Sequence, residues 1–281
     1  MMGRMKAPGP ILLVAVDLDG TLLNSAKRIG SATAAVFRRA HEEHGVYVVL
    51  ASARPPRSVL PYYEQLGLDT PTINYNGALV YDPPNRRVLM HLPIPLRTAR
   101  GVVSLARGLV PDVLVSAEIL DRWYTDRLDD NYATETARLF APDLVAPIGQ
   151  WLTQPVTKLL LLAPEERLAE LARAIAAKFP RQVSLVQTEG HLLQIAHARA
   201  SKAAALRAVA GELGVPREAV MAIGDNANDV DMLQWAGIAV AVGNATPEVK
   251  AVARIVTDAN DAEGAAKVVR HVVLEGRPWT S

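Results

Sequence analysis

Two stretches, one near each end of the chain, alternate apolar strand-like segments with amphipathic helical segments, and they flank a middle block with a different pattern. In the first stretch, predicted strands at 11–16, 46–52 and 70–82 are separated by predicted helices at 31–43 and 57–66. Strict alternation resumes from 201 to 257. Strands that alternate with helices favour a parallel sheet with helices on both faces. We therefore predict an α/β fold with a doubly wound, Rossmann-like parallel-sheet core.

The middle block opens with the turn cluster DPPNRR at 82–87 and continues with short predicted strands and two longer predicted helices. A hairpin is predicted around Glu189-Gly190 near its end. The same core pattern on both sides of a different block indicates an insertion. We predict a core domain of residues 1–82 and 191–281 and an inserted α/β cap domain of residues 83–190. Within the core, residues 1–10 are predicted to be a loose tail.

Composition narrows the classes of partner. The chain has 281 residues, half of them apolar, a net charge of +1 and no cysteine. A balanced charge without a basic stripe predicts no nucleic-acid partner, and no apolar run approaches the roughly 20 residues that span a bilayer, so no membrane partner is predicted. The lack of cysteine excludes disulfides and thiolate metal sites and suits a cytoplasmic location, which we predict. Oligomeric state stays open between monomer and homodimer.

Polar side chains follow several of the predicted strands at the point where each strand ends. Asp17 and Asp19 follow the first strand, Ser52 ends the second, and Asp225 ends the strand at 219–225. Ligands bind at the carboxyl ends of the strands in open parallel sheets. We therefore expect these side chains to lie at one edge of the core sheet.

The paired aspartates predict a cation. Asp17 and Asp19 are two residues apart, so in an extended chain their side chains point to the same side. Two carboxylates about 4 Å apart repel by about 4 kcal/mol at an effective dielectric constant near 20. Asp225 and Asp229 add to that charge. Mg²⁺, which prefers oxygen ligands, is the natural counter-charge. The alternative for a single Asp-x-Asp pair, a solvated turn, is disfavoured by the second acidic strand end.

Lys202 and Ser52 point to an anion. Ser201 is predicted to cap a helix whose first turn contains Lys202. A cation there opposes the helix dipole unless an anion is also held, and helix N-termini bind phosphate. An exposed lysine is the alternative. The Ser52 hydroxyl and the following backbone N–H would hold one phosphate oxygen.

The polar run after the 219–225 strand has a simpler alternative. Asp and Asn favour the capping position of a helix, so helix capping alone would account for such a run. The run comprises Asp225, Asn226, Asn228 and Asp229. Carboxylates in the first turn of a helix are favourable in either case, so capping and ligand binding are compatible here.

Several catalytic motifs are missing from the sequence. It contains no HExxH, GxSxG, GxxxxGK[ST] or GxGxxG pattern. A zinc protease, a serine hydrolase with a nucleophile elbow, a P-loop nucleotidase and a classical dinucleotide-binding enzyme are therefore disfavoured.

Four segments, in this order, resemble the signature segments of the haloacid dehalogenase superfamily: DLDGTLLN at 17–24, LASARP at 50–55, ARASKAAAL at 198–206 and GDNANDVDML at 224–233. The block between the second and third segments is similar to the α/β cap of the Cof-type subfamily, cap type C2 and subclass IIB. The stretch INYNGALVYD at 73–82 is similar to the one that leads into that cap. The resemblance covers nearly the whole chain.

The resemblance implies a Mg²⁺-dependent phosphatase that hydrolyses a small phosphorylated metabolite, a sugar phosphate or similar, through an aspartyl-phosphate intermediate. It implies that Asp17 is the nucleophile, and that Asp19 is the general acid for the leaving group and then the base that activates water. A carboxylic acid at position 19 needs a raised pKa, which we expect a neighbouring carboxylate to supply. Mg²⁺ would be held by the carboxylates of Asp17 and Asp225 and the backbone carbonyl of Asp19.

Further positions follow from the same resemblance. Asp229 would orient Lys202 or a water on the metal. Arg54 and Asn76 border the predicted site. The second segment reads Ser-Ala-Arg at 52–54, where the family usually has Thr-Gly-Arg, so we expect a less free backbone there. The residues implied to hold the phosphoryl group are Leu18, Ser52, Ala53, Lys202 and Asn228.

Two other functions stay open from the sequence. A phosphomutase would use the same nucleophile but keep the phosphoryl group from water. A non-catalytic phosphometabolite-binding module would need no nucleophile, so the presence of both Asp17 and Asp19 favours the phosphatase. The inserted cap is expected to set substrate specificity.

Overall fold

The computed structural model describes residues 10–132 and 134–279, so the predicted tail lies, apart from Pro10, outside the described residues. The chain forms two compact units, one of Met1–Met90 with Ser201–Ser281 and one of His91–Ala200. We call them the core unit and the inserted unit.

The strands of both units are numbered in chain order. They are β1 (Leu13–Val16), β2 (Tyr47–Leu50), β3 (Thr72–Asn74), β4 (Leu79–Asp82), β5 (Arg87–His91), β6 (Leu114–Ile119), β7 (Arg122–Thr125), β8 (Leu144–Val145), β9 (Lys158–Leu162), β10 (Val183–Glu189), β11 (Leu192–His197), β12 (Val220–Gly224), β13 (Ile238–Ala241) and β14 (Ile255–Val256).

The helices are α1 (Ser31–Glu42), α2 (Pro56–Gln65), α3 (Leu96–Leu109), α4 (Glu135–Leu139), α5 (Ile148–Trp151), α6 (Glu165–Lys178), α7 (Lys202–Glu212), α8 (Val230–Trp235), α9 (Pro247–Val252) and α10 (Gly264–Val268). Two 3₁₀ turns bear on the site, Tyr75–Gly77 after β3 and Ala227–Asp229 before α8.

The core unit contains a five-stranded parallel sheet in the order β14-β13-β12-β1-β2. From β1 the chain moves outwards to β2, and from β12 it moves the other way to β13 and β14. The topological switch point therefore lies between β1 and β12, where ligands bind in such sheets. The predicted α/β fold with a parallel-sheet core is confirmed. A second sheet, β3-β4-β5, adjoins β2 through a parallel bridge between Ala51 and Ile73.

Apolar side chains on both faces explain the position of the core strands. All residues of β1, β12 and β13 are buried, as expected for parallel strands covered by helices on both sides. In α1 the buried residues recur at helical spacing and form one apolar face. They are Thr33, Ala34, Val36, Phe37 and Ala40.

Helix starts match the sequence in part. Ser201 caps α7, because its side chain accepts a hydrogen bond from the backbone N–H of Ala204 at 3.1 Å, as predicted. No side chain caps α1 in this way. Ser31 is already the first helical residue of α1, and Gly30 precedes it without a side-chain cap.

The inserted unit has a six-stranded sheet in the order β10-β11-β9-β6-β7-β8. Apolar residues of α3 and α6 share one core with alternate residues of β6 and β9, so both helices cover the same face of this sheet. Strands β10 and β11 form the antiparallel hairpin predicted around Glu189-Gly190.

The unit boundaries differ from the sequence-based ones at 82/83 and 190/191. Strand β5 neighbours β4, which keeps residues up to Met90 with the core unit. Strand β11 pairs with β9 and β10, which keeps residues up to Ala200 with the inserted unit. The assignment of the inserted unit as a specificity cap stays a prediction.

Across the described residues, no helix combines the length and apolar character that crossing a bilayer requires. The cytoplasmic location, the lack of a nucleic-acid partner and the oligomeric state stay predictions.

We expect Leu13→Ala to lower the free energy of unfolding by about 2–5 kcal/mol, because it leaves a cavity beneath the central strand. Leu13 is 0% exposed and its neighbour Leu12 is 40% exposed, so Leu12→Ala is the matched control. Urea unfolding of both variants measures the difference. Equal losses would contradict the proposed core.

Candidate active site

Three predicted site residues follow neighbouring strands of the core sheet. Asp17 comes directly after β1, and Asp225 directly after β12, its neighbour on one side. Ser52 follows the end of β2, the neighbour on the other side. The backbone N–H of Asp17 donates to the carbonyl of Ile223 at 3.0 Å, which carries the β1–β12 pairing up to the site. These residues therefore lie at the carboxyl edge of the sheet, as the sequence predicts.

A buried ammonium group joins two of the aspartates. Lys202 Nζ lies 2.5 Å from Asp17 Oδ1 and 2.6 Å from Asp229 Oδ1. Lys202 and Asp229 are 0% exposed, and Asp17 is 5% exposed. The alternative of an exposed lysine is therefore excluded. Because Lys202 is the first residue of α7, the serine cap at 201 sets the point from which its side chain reaches the aspartates.

Both carboxylate oxygens of Asp229 have hydrogen-bond partners. Its Oδ1 contacts Lys202, and its Oδ2 accepts hydrogen bonds from the backbone N–H groups of Asp225 at 3.1 Å and Asn226 at 3.2 Å. A Cβ on Gly224 would lie 2.5 Å from the Cβ of Asp229, so a glycine is required where β12 ends. Capping and ion pairing thus coexist in Asp229.

The carboxylates of this site outnumber its ammonium group. One ligand oxygen each from Asp17, Asp225 and Asp229 lies within 4.8 Å of the others. Charges at such separations interact by several kcal/mol at an effective dielectric constant near 20, and Lys202 offsets only one of the three. Carboxylate oxygens at this density fit a hard divalent cation. Since Asp229 is already engaged by Lys202 and two backbone N–H groups, Asp17 and Asp225 are the better placed ligands.

Burial and charge shift the titration of these groups. Burial, opposed by Lys202 and assisted by Asp229, raises the pKa of Asp17 well above its usual range. Burial also raises the pKa of Asp225 to about 6, although a hydrogen bond from Thr21 opposes this. Burial alone lowers the pKa of Lys202, but Asp17 and Asp229 outweigh it and raise the pKa above its ordinary value. Lys202 is therefore a permanent cation.

Asp225 is oriented by residues of the first signature segment. Thr21 Oγ1 donates to Asp225 Oδ1 at 2.9 Å. Gly20 has a φ of +80°, and a Cβ there would lie 2.4 Å from Asp225 Oδ2. The Gly-Thr pair after Asp19 therefore allows the close approach of Asp225 and supplies its hydrogen bond.

Asp19 departs from the expectation of a raised pKa. Arg54 contacts both of its oxygens at 2.6 Å, and Lys27 Nζ lies 2.7 Å from Oδ1. Burial raises the pKa of Asp19, but these hydrogen bonds outweigh it, and the pKa is lowered. The expected shift fails because the Asp19 side chain meets two cations instead of the neighbouring carboxylate.

The loop of Ser52 and Ala53 is closely held. Ser52 is 1% exposed, and its hydroxyl accepts a hydrogen bond from the backbone N–H of Arg54 at 3.2 Å. Ala53 does not have a positive φ, so alanine at this position meets no left-handed strain. The difference from Thr-Gly-Arg is therefore compatible with the local backbone.

Leu18 and Asn228 are placed differently from each other. The Leu18 side chain is 0% exposed and belongs to the hydrophobic core, so only its backbone can contribute to binding. Asn228 is exposed, and its Nδ2 donates to Asn76 Oδ1 at 3.0 Å. The role of each as a phosphate ligand stays a prediction.

Sequence reasoning missed two contributors. The loop after β1 brings Lys27 to Asp19, and no local sequence pattern predicts that contact. Thr21 lies inside the first signature segment, where its spacing from Asp17 could have suggested it.

Comparison with known proteins agrees with this geometry. A family model described as haloacid dehalogenase-like hydrolase matches residues 14–269. The chain belongs to the haloacid dehalogenase-like hydrolase family. The predicted superfamily is therefore confirmed.

Relatives of this haloacid dehalogenase-like hydrolase extend over nearly the whole chain. The 5-amino-6-(5-phospho-D-ribitylamino)uracil phosphatase YitU of Bacillus subtilis (strain 168) is 32% identical over 266 residues, covering 92% of this chain and 96% of that protein. The putative phosphatase YxeH of the same organism is 30% identical, covering 93% and 98%. A crystal structure of a haloacid dehalogenase-like hydrolase from Bacteroides thetaiotaomicron is 27% identical with a TM-score of 0.85, covering 92% and 98%. These matches confirm the predicted fold and the predicted phosphatase class.

Mg²⁺ is expected to raise the melting temperature of this hydrolase more at pH 8 than at pH 5. Metal binding requires ionised ligands, and a carboxyl group with a pKa of about 6 keeps its proton below that pH. Saturating Mg²⁺ at about 100 times its Kd would add about 2.7 kcal/mol at high pH. Thermal unfolding with Mg²⁺ or a chelator measures this shift.

Asp225→Asn should abolish the Mg²⁺-dependent shift. Asp112→Asn, at an exposed position in the inserted unit, is the control and should keep it. A shift of equal size at both pH values, or its persistence in Asp225→Asn, would exclude this carboxylate cluster as the metal site.

Proposed function

We propose that this hydrolase is a Mg²⁺-dependent phosphatase that acts on a small phosphorylated metabolite through an aspartyl-phosphate intermediate on Asp17. The observation that carries the proposal is the buried contact of Lys202 with Asp17 and Asp229, with Asp225 beside it at the switch point of the sheet. A binding module needs no buried carboxylate aimed at its ligand, whereas covalent phosphoryl transfer needs one.

Asp17 is the proposed nucleophile. It directly follows the central strand, whose last residue, Val16, pairs with Ile223 on one side and Leu50 on the other. Attack on phosphorus needs the ionised carboxylate, and contact with Lys202 favours that form. When bound, a divalent cation adds positive charge next to Asp17 and Asp225 and stabilises their ionised forms.

The phosphoryl group is proposed to lie between the strand ends. Lys202 offsets negative charge on its oxygens, the Ser52 hydroxyl and the Ala53 N–H donate hydrogen bonds, and the Leu18 backbone N–H and the Asn228 amide complete the set. Removing water from this pocket strengthens each of these contacts, because the local dielectric constant falls.

Asp19 is the proposed proton carrier. Arg54 and Lys27 favour its ionised form, which suits the base that takes a proton from the water attacking the aspartyl-phosphate. The acid half of its role, donation to the leaving group, needs a proton on Asp19 in the enzyme–substrate complex. Arg54 and Lys27 therefore set how readily Asp19 changes between these forms.

Two relatives support a narrower substrate class. YitU and YcsE of Bacillus subtilis are both named 5-amino-6-(5-phospho-D-ribitylamino)uracil phosphatases. We propose a phosphate monoester of a sugar or polyol as the substrate, and the ribitylamino uracil phosphate is the first compound to test. The inserted unit is proposed to select among such esters, since the core site contacts only the phosphate.

The first test is release of phosphate from p-nitrophenyl phosphate. Wild-type protein with Mg²⁺ should be active. A chelator or Asp17→Asn should lower kcat by about a thousandfold or more, because the chelator removes the cation and the substitution removes the nucleophilic carboxylate. Asp112→Asn is the control and should match the wild type. An inert wild type would contradict the phosphatase, and phosphosugar isomerisation and ligand binding would then be measured.

Arg54→Gln should move the basic limb of the kcat/KM profile to higher pH. Arg54 lowers the pKa of Asp19, so its removal raises that pKa, and Asp19 then keeps the proton that it donates to the leaving group up to a higher pH. Arg38→Gln, on the exposed face of α1, is the matched control. A basic limb that stays in place would show that Asp19 does not control this part of the profile.

A further inference from the structure

The turn Tyr75–Gly77 after β3 has an unusual backbone. Tyr75, Asn76 and Gly77 have φ angles of 51°, 54° and 90°. Left-handed conformations are uncommon outside glycine, and for a bulky residue such as tyrosine they are outliers. They persist only where the surroundings hold them, often at functional sites. The contacts of this turn show what it holds.

One side of the turn fixes the loop that contains Ser52. The backbone N–H of Asn76 donates to the Ser52 carbonyl at 3.0 Å, and that of Tyr75 donates to the Arg54 carbonyl at 3.3 Å. Asn74 Nδ2 donates to the same Arg54 carbonyl at 3.3 Å. The turn therefore anchors this loop through the carbonyl groups of Ser52 and Arg54. These contacts do not involve the Ser52 hydroxyl.

The other side of the turn lies against the start of α7. A Cβ on Gly77 would lie 2.1 Å from the Ser201 carbonyl oxygen and 3.1 Å from the backbone nitrogen of Lys202. Only glycine allows this approach. The turn therefore contacts both the loop of Ser52 and the helix start that carries Lys202.

The Asn76 side chain makes a third connection. Its Oδ1 accepts the hydrogen bond from Asn228 Nδ2 at 3.0 Å, across 152 residues of sequence. A side-chain amide has two N–H donors, and this contact uses one of them. With the Asn228 amide nitrogen directed at Asn76, the second N–H on the same nitrogen has a defined direction.

We propose that Asn76 is a positioning residue for phosphate binding, which directs the amide of Asn228 through its side chain and holds the loop of Ser52 through its backbone. The inference rests on the proposed phosphatase function. Asn76 does not need to touch the substrate for this role. Asparagine suits the position because it tolerates a left-handed backbone and offers an acceptor oxygen.

Asn76→Gly isolates the side chain, since glycine keeps the left-handed backbone and the N–H that bonds Ser52. We expect the KM for p-nitrophenyl phosphate and the Ki for inorganic phosphate to rise together by about three- to tenfold, with kcat changed less than about twofold, because one anion-binding donor loses its orientation. Asn228→Ala should give similar rises. The double variant should add little to either single change, since both remove one shared interaction.

Arg181→Gly is the matched control, because Arg181 is exposed and has a φ of 60°. It should leave KM and Ki unchanged. Wild-type constants in Asn76→Gly, a loss confined to kcat or to the melting temperature, or additive effects in the double variant would overturn the inference. An inert wild type would instead overturn the proposed function, so the two failures are distinct.

Asn76→Asp is the second variant, in case Asn76→Gly is too unstable to assay. Aspartate tolerates the same backbone and keeps an acceptor for Asn228, but it places a negative charge beside the bound anion. The Ki for inorganic phosphate should rise above the wild-type value by at least the three- to tenfold expected for Asn76→Gly. An unchanged Ki would overturn the inference.

Discussion

The rest of the site depends on the buried ion pairs that the ammonium group of Lys202 makes. It joins Asp17 at the end of β1 to Asp229 before α8, residues separated by 185 and 27 positions from the lysine. Removing one member of such a buried group leaves an unpaired charge in a low-dielectric region, which typically costs about 3–5 kcal/mol. The segment of the core unit before the insertion and the segment after it are thus joined by an ion pair as well as by strand pairing. The site and the fold of the core unit are therefore linked in stability.

Small residues make this charge group possible. Gly224 allows Asp229 to approach the end of β12, Gly20 allows Asp225 to approach the first signature segment, and Gly77 allows the turn after β3 to approach Ser201. A side chain at any of the three would collide with an atom that the site uses. These three glycines thus act by allowing close packing, of Gly20 and Gly224 against aspartate side chains and of Gly77 against the Ser201 backbone, and two of them, Gly20 and Gly77, have a left-handed backbone.

The sequence predicts the sheet edge well because its determinants are local. Apolar runs locate the strands, and Asp17, Ser52 and Asp225 follow them directly. Partners of each side chain depend on distant chain segments and could not be predicted. Asp19 meets Arg54 across 35 residues, so the expected effect of its acidic neighbour did not appear. The boundaries of the two units differ from the predicted domain boundaries for the same reason. Strand β11 belongs to the inserted unit because it pairs with β9, and no local sequence signal indicates this pairing.

Charge also implies an order of binding. Asp17, Asp225 and Asp229 with Lys202 leave an excess of negative charge at the edge of the sheet. A phosphate ester that approached this edge alone would meet that excess, and repulsion between charges a few ångströms apart in a partly buried site amounts to several kcal/mol. A divalent cation held by these carboxylates would bring the edge close to neutral, and in the proposed function Lys202 would then attract the phosphoryl oxygens. In the proposed function, the acidic residues that make the site costly to fold would therefore also make the entry of substrate dependent on the cation.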